Sequence, residues 1–167
     1  MSSHKQLAYI RNFIFGAEDS LVSTVGLLVG ISVGGLMQHD IVMTGVTLIF
    51  VEAFSMGVGS YLSEYTTDES YMQESTAFKE SLSSSIIMFV SYLVVGLVPL
   101  LPFVFISNGW VASATSITGT LLALFVLGVV SSKLLKLNTF RSSIRMVALG
   151  GIAISIGLIV GKISNHY

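Results

Sequence analysis

Residues 85–106 read SIIMFVSYLVVGLVPLLPFVFI, an apolar run in which no side chain is charged. At about 1.5 Å per residue, a helix of this length crosses the roughly 30 Å hydrocarbon core of a bilayer. Four further stretches of similar length and character lie elsewhere in the chain. We therefore predict an all-α, polytopic membrane protein with five transmembrane helices per protomer. The predicted spans are 13–37, 41–62, 85–106, 111–131 and 144–163.

The composition supports a membrane protein and excludes several classes of function. Hydrophobic residues make up 53% of the 167 residues and charged residues only 10%, whereas about 25% of residues are charged in soluble domains. The net charge of −1 leaves no basic stripe for a phosphate backbone, so we expect no nucleic-acid partner. The sequence has no cysteine, nucleophile–base arrangement, glycine-rich phosphate loop or metalloprotease motif. We predict neither an enzyme nor a resident cofactor.

The basic residues predict the orientation of the chain. If the five spans alternate, seven of the eight Lys and Arg residues fall on one side of the membrane and only Lys162 falls on the other. The positive-inside rule then places the N-terminus in the cytoplasm and the C-terminus on the far side. No cleavable signal is evident in the opening MSSHKQLAYIRN. Together with the short length, this favours a prokaryotic cytoplasmic membrane.

Glu52 lies where a charged side chain is costly in free energy to bury. It lies 11 positions into the second span, about 16 Å deep and thus near the bilayer centre. Burying its charge there costs roughly 2.5–3.5 kcal/mol, so the carboxyl group must face protein, water or a cation, or carry a proton. Met56 follows one turn later on the same helix face. A carboxylate beside a thioether suits Fe²⁺ or Mn²⁺, although methionine is also a common core residue.

Two features of the first span each have two interpretations. Glu18 and Asp19 are adjacent, about 100° apart around a helix, and each suits either an interfacial acid or a pore-lining one. Gly26, Gly30 and Gly34 form a smooth face for close helix packing, either within one protomer or in the seam of a homodimer. A stripe of the same spacing lies on the fifth span: Ala153, Gly157 and Gly161.

Residues 63–84 are predicted to form a short cytoplasmic loop in which five acids are accompanied only by Lys79. The segment is either a solvated acidic loop or a negative funnel that concentrates divalent cations at the mouth of the bundle. Six residues of this segment are candidates for metal capture: Glu64, Asp68, Glu69, Met72, Glu74 and Glu80.

Five motifs, in order along the chain, resemble those of the vacuolar iron transporter family. FGAEDSLVSTVGLLVG at 15–30 resembles the family's first-helix motif, and SMGVGSYLSE at 55–64 resembles its second-helix signature. The other three are PLLPF at 99–103, ALFVLGV at 123–129 and RMVALGGIAISIGLIVG at 145–161. The similarity covers nearly the whole chain.

The resemblance implies a homodimeric five-helix carrier that exports Fe²⁺, and often Mn²⁺, from the cytoplasm in exchange for protons, with the ion path at the dimer interface. By motif, Asp19 and Met56 correspond to the aspartate and methionine that line this path. Glu52 is assigned by role only, because the family's glutamate stands where this sequence has Leu48. The large metal-binding domain of plant and protist members is missing here or reduced to 63–84.

Two other functions fit part of the pattern. A small dimeric drug/proton antiporter also uses one membrane glutamate, but it needs an aromatic box for a lipophilic cation. The only tryptophan, Trp110, lies instead in a turn on the far side. A non-transporting membrane scaffold leaves the mid-membrane Glu52 unexplained. The metal carrier is the function that we predict.

We expect Asn165→Cys to react with a membrane-impermeant maleimide from the far side of the membrane only, because the basic residues hold the N-terminal side in the cytoplasm. The natural absence of cysteine makes the label specific. Gln6→Cys is the opposite control and should react from the cytoplasm. Reaction of Asn165→Cys from the cytoplasm alone would contradict the five-span topology.

Overall fold

The structure is a computed structural model that describes residues 3–69 and 74–166. Within this part of the chain each of five long helices contains a segment long and apolar enough to cross a membrane. The helices are α1 Ser3–Val33, α2 Gln38–Glu69, α3 Glu74–Phe105, α4 Gly109–Leu135 and α5 Thr139–Ser164. The all-α fold with five apolar spans is thus confirmed, whereas the homodimer stays a prediction.

Most helices extend beyond the predicted spans, above all at 63–84, whereas α1 ends at Val33, before the predicted residue 37. Helix α2 continues to Glu69 and α3 begins at Glu74, so most of the segment predicted as a loop is helical. On the α2 extension, Thr66 Oγ1 donates a hydrogen bond to the Leu62 carbonyl oxygen at 2.8 Å. The predicted end of α2 came too early and the predicted start of α3 too late, because hydropathy marks where the apolar segment ends and not where the helix itself ends.

Capping interactions explain where three of the helix ends lie. Just after α1, Gly35 has a φ of 88°, and the Leu36 N–H donates to the Ile31 carbonyl oxygen at 3.2 Å. This is the arrangement of a glycine-capped helix terminus. Helices α4 and α5 follow Asn108 and Asn138, whose side chains accept hydrogen bonds from backbone N–H groups of the first turn.

Helix α1 is the central element of the bundle. It packs against all four other helices, and 56% of its most apolar stretch is buried, compared with 22% for α2. Leu21 of α1 belongs to an apolar cluster with residues of α4 and α5, whereas Leu28 packs with residues of α2, α3 and α4. The helix that carries Glu18 and Asp19 is therefore enclosed by protein over much of its surface.

The glycine stripe of α1 packs against α5 of the same chain. A Cβ added at Gly30 would lie 2.9 Å from the Gly157 carbonyl oxygen. In return, a Cβ at Gly157 would collide with the Gly26 carbonyl oxygen, and one at Gly161 with that of Gly30. Of the two roles considered for Gly26, Gly30 and Gly34, packing within one protomer is the one that the structure shows. A homodimer seam on this face is not needed to explain the glycines.

We expect Gly157→Leu to destabilise the bundle by about 1–3 kcal/mol, because the added side chain must push α1 and α5 apart. The matched control is Gly151→Leu on the same helix, where a Cβ would have no atom of the described residues within 4 Å. Thermal unfolding in detergent should show a lower Tm for the first variant only. Equal Tm values for the two variants would contradict the α1–α5 contact.

Candidate functional site

Asp19 and Glu52 approach each other in the middle of the apolar spans. Asp19 follows the start of the α1 span at Gln6 by 13 residues, and Glu52 follows the start of the α2 span at Gln38 by 14 residues. Both side chains are half-buried, and their carboxylates are close enough to interact electrostatically. Two neighbouring helices thus place two acids together where an uncompensated charge is costly.

Glu18 has a different neighbour from Asp19. Its carboxylate is attracted electrostatically by Arg145, in the second turn of α5, whereas Asp19 interacts with Glu52 of α2. The angular separation predicted between the two adjacent acids therefore directs them to different helices. Both acids lie near the middle of the apolar span of α1, Gln6–Val33.

Hydroxyl groups lie next to Asp19. Ser23, one turn after Asp19 on α1, forms a 2.7 Å hydrogen bond with the phenol oxygen of Tyr92 on α3. Ser20 Oγ donates to the Tyr92 carbonyl oxygen, also at 2.7 Å. Asp19 and Ser23 both line a groove of about 470 Å³ that runs over the glycine stripe between α1 and α5. Asp19 therefore has polar neighbours on its own helix and on α3.

Met56 lines a separate cleft between α1 and α2 with a volume of about 640 Å³. The thioether of Met88, from α3, lines the same cleft, as does the carboxylate of Glu64. Glu52, Met56, Ser60 and Glu64 recur every four residues along α2, and the last three line the cleft. The cleft thus offers thioether, hydroxyl and carboxylate donors along one side of α2.

Asn12 joins three helices beside this cleft. Its side chain is buried, and Nδ2 lies 2.6 Å from Ser84 Oγ, 2.8 Å from Glu64 Oε1 and 2.9 Å from Ser60 Oγ. Arg11 Nη2 donates to the same Glu64 oxygen at 3.0 Å. The Glu64 carboxylate is therefore held jointly by an amide and a guanidinium of α1.

Of the two candidate capture residues whose side chains the structure describes, Glu64 and Glu80, only Glu64 lines the cleft. Glu80 is half-buried on α3. Asp68 and Glu69 end α2 and Glu74 begins α3, whereas Met72 falls outside the described residues. Among residues 6–67 and 77–166, whose side chains the structure describes, no group of three or more His, Asp or Glu residues is placed to hold a metal ion.

Sequence reasoning missed many of the side chains at these sites, among them Arg11, Asn12, Met88, Ser23 and Tyr92. Ser23 carried a signal, because it follows Asp19 by one helical turn. The others carried none, since Asn12 and Tyr92 form hydrogen bonds across 48 to 72 residues of sequence. Such contacts depend on how the helices pack and not on any local pattern.

These features define a polytopic membrane protein with an acidic site in the middle of its spans and a polar cleft beside it. The sequence profile of the VIT family matches residues 10–83 and 67–162, and the chain belongs to that family. The two matched segments overlap at residues 67–83. The family predicted from the five motifs is thus confirmed.

Three relatives cover most of the chain at modest identity. Vacuolar iron transporter 1 of Tulipa gesneriana is 24% identical over 212 residues, which cover 92% of this chain and 86% of that protein. Vacuolar iron transporter homolog 3 of Arabidopsis thaliana is 27% identical, with 98% and 88% covered. Vacuolar iron transporter 1 of Arabidopsis thaliana is 20% identical, with 94% and 86% covered. The tulip alignment is longer than this chain, so the tulip protein contains segments that this chain lacks.

Proposed function

We propose that this protein exports divalent transition metal ions, Fe²⁺ and also Mn²⁺, from the cytoplasm in exchange for protons. The observation that carries the proposal is the pairing of Asp19 with Glu52 in the middle of the spans. The names of the relatives, which are vacuolar iron transporters, support iron as the cargo. The membrane is that of a prokaryotic cell, with the N-terminus in the cytoplasm.

The acid pair accounts for the exchange of metal for protons. Two carboxylates that repel each other inside a membrane need a counter-charge or protons. A divalent cation between Asp19 and Glu52 supplies the counter-charge, and two protons remove the need for it. Because metal ligands must be deprotonated, metal binding releases the protons and proton return releases the metal. One site with two alternative occupants therefore performs antiport.

Met56 gives the path its preference for transition metals. It lies one turn from Glu52, and a thioether is a soft ligand that contributes little to the binding of Mg²⁺ or Ca²⁺. The cleft next to Met56 leads along α2 to Glu64, near the end of the α2 span at Thr67. A cation that enters at Glu64 passes Ser60 and Met56 before it reaches the acid pair.

Two protomers complete the path in this proposal. Helix α2 is the least buried of the five spans, so its polar side chains lie near the edge of the protomer. A second copy that faces this edge adds a second set of carboxylate and thioether donors to the first. The combined set is large enough to replace the water ligands of Fe²⁺ or Mn²⁺.

We expect Glu52→Gln to abolish metal-coupled proton flux, because the amide keeps the shape of the side chain but neither binds nor releases a proton. Asp40→Asn, an exposed acid in the first turn of the same helix, is the control and should transport normally. The measurement is Mn²⁺ flux together with internal pH in proteoliposomes. Wild-type flux of both ions in Glu52→Gln would contradict the mechanism.

Met56→Leu is expected to weaken transport of Fe²⁺ more than that of Mn²⁺, because leucine keeps the volume and removes the soft ligand. A rise in the KM for Fe²⁺ of about ten-fold corresponds to roughly 1.4 kcal/mol of lost binding. Met43→Leu replaces an exposed methionine of the same helix and should leave both KM values unchanged. If the two metals are affected equally, Met56 is a packing residue.

A further inference from the structure

The Glu64 carboxylate has a cationic partner that can be replaced. Arg11 Nη2 lies 3.0 Å from Glu64 Oε1, and the Arg11 side chain is 68% exposed whereas that of Glu64 is 13% exposed. An exposed ion pair is worth little, because water and salt screen it and the long arginine side chain loses entropy when it is fixed. The guanidinium can therefore leave at low cost, while the carboxylate stays in the wall of the cleft.

Asn12 fixes the carboxylate independently of Arg11. The Asn12 side chain is 2% exposed, and its Nδ2 donates to Glu64 Oε1 at 2.8 Å. The same nitrogen is anchored to α3 by the carbonyl and hydroxyl oxygens of Ser84. Glu64 therefore keeps its orientation when Arg11 moves away. Among the described residues, the hydrogen bonds to Glu64 all reach Oε1, which leaves Oε2 available as a donor to a cation.

We propose that Arg11 is a tethered cation that competes with the transported metal ion for Glu64, so that a divalent ion enters the cleft by displacing the guanidinium. This inference rests on the proposed function, because it concerns a carboxylate of the cleft through which the cargo is proposed to enter. The displaced guanidinium moves into solvent, where most of its side chain already lies. Asn12 is a positioning residue in this step and does not itself bind the ion.

The competition selects for ion charge. At equal distance a divalent cation interacts with a carboxylate twice as strongly as a guanidinium does, whereas a monovalent cation gains no such advantage. Arg11 therefore prevents the monovalent cations of the cytoplasm from binding to Glu64, whereas a divalent ion displaces the guanidinium. The thioethers of Met56 and Met88 line the same cleft and add soft donors for a transition metal.

The test is Mn²⁺ binding to the purified protein in detergent, measured from the free-ion EPR signal. Binding that depends on Glu64 is defined as the difference from Glu64→Gln. We expect Arg11→Gln to tighten this component by about two- to five-fold, the range that an exposed ion pair supports. In the double variant the effect of Arg11→Gln should vanish, because the carboxylate for which it competes is gone.

Three further variants make the result specific. Arg11→Lys keeps a competing cation and should bind Mn²⁺ as the wild type does. Arg11→Met keeps the apolar part of the side chain, provides a second neutral variant if Arg11→Gln is unstable, and should also bind more tightly. Arg141→Gln removes an exposed cation at the start of α5 and should leave binding unchanged, which excludes a general effect of net charge.

Two results would overturn the inference: the absence of any Glu64-dependent binding, and an unchanged affinity in both neutral Arg11 variants. If Arg11→Gln lowers the Tm and leaves the Mn²⁺ affinity unchanged, the ion pair only stabilises the contact between α1 and α2. Mn²⁺ binding in detergent is measured without any transport across a membrane, so it tests the role of Arg11 separately from the proposed function. Wild-type protein that shows the expected binding pattern but moves no metal in proteoliposomes would refute the proposed function and leave the role of Arg11 intact.

Discussion

Helix α1 carries two acids, Glu18 and Asp19, near the middle of its apolar span, and the rest of the bundle depends on how these acids are accommodated. Neither carboxylate can face lipid without a large cost. Glu18 is directed to Arg145 of α5 and Asp19 to Glu52 of α2, so the two acids need protein on two sides of the same helix. This requirement explains why α1 is central and why it packs against all four other helices.

The glycine contact between α1 and α5 serves the same requirement. Close backbone approach of Gly30 to Gly157 and Gly161 holds α5 against α1, and Arg145 lies nearer the start of α5. Nearer the start of α1, Asn12 ties the helix to both α2 and α3. One helix is thus fixed at two positions along its length by different chemistry, hydrogen bonds at the first and backbone contact at the second. Asp19 lies between these two fixed regions.

The sequence predicted the spans well and the packing of the helices poorly. Hydropathy identified five helices because the cost of exposing polar backbone to lipid acts on each segment separately. It placed the end of α2 too early and the start of α3 too late, because a helix can continue beyond its apolar segment into polar sequence. The glycine pattern could not identify its partner, because small residues at four-residue spacing suit contacts within and between protomers equally. Asp19, Glu52 and Met56 could be proposed from depth and motif, and their role in an ion path stays a prediction. Asn12 could not be identified from the sequence, because its partners lie 48 to 72 residues away.

We propose that the acid pair Asp19 and Glu52 in the middle of the bundle exchanges divalent metal ions for protons. This exchange is tested most directly with wild-type protein in proteoliposomes, by following internal metal and internal pH together after addition of Fe²⁺, Mn²⁺ or a lipophilic organic cation. We expect Fe²⁺ and Mn²⁺ to cross the membrane with protons moving in the opposite direction, and we expect the organic cation not to cross. Transport of the organic cation without metal flux, or the absence of any flux, would contradict it.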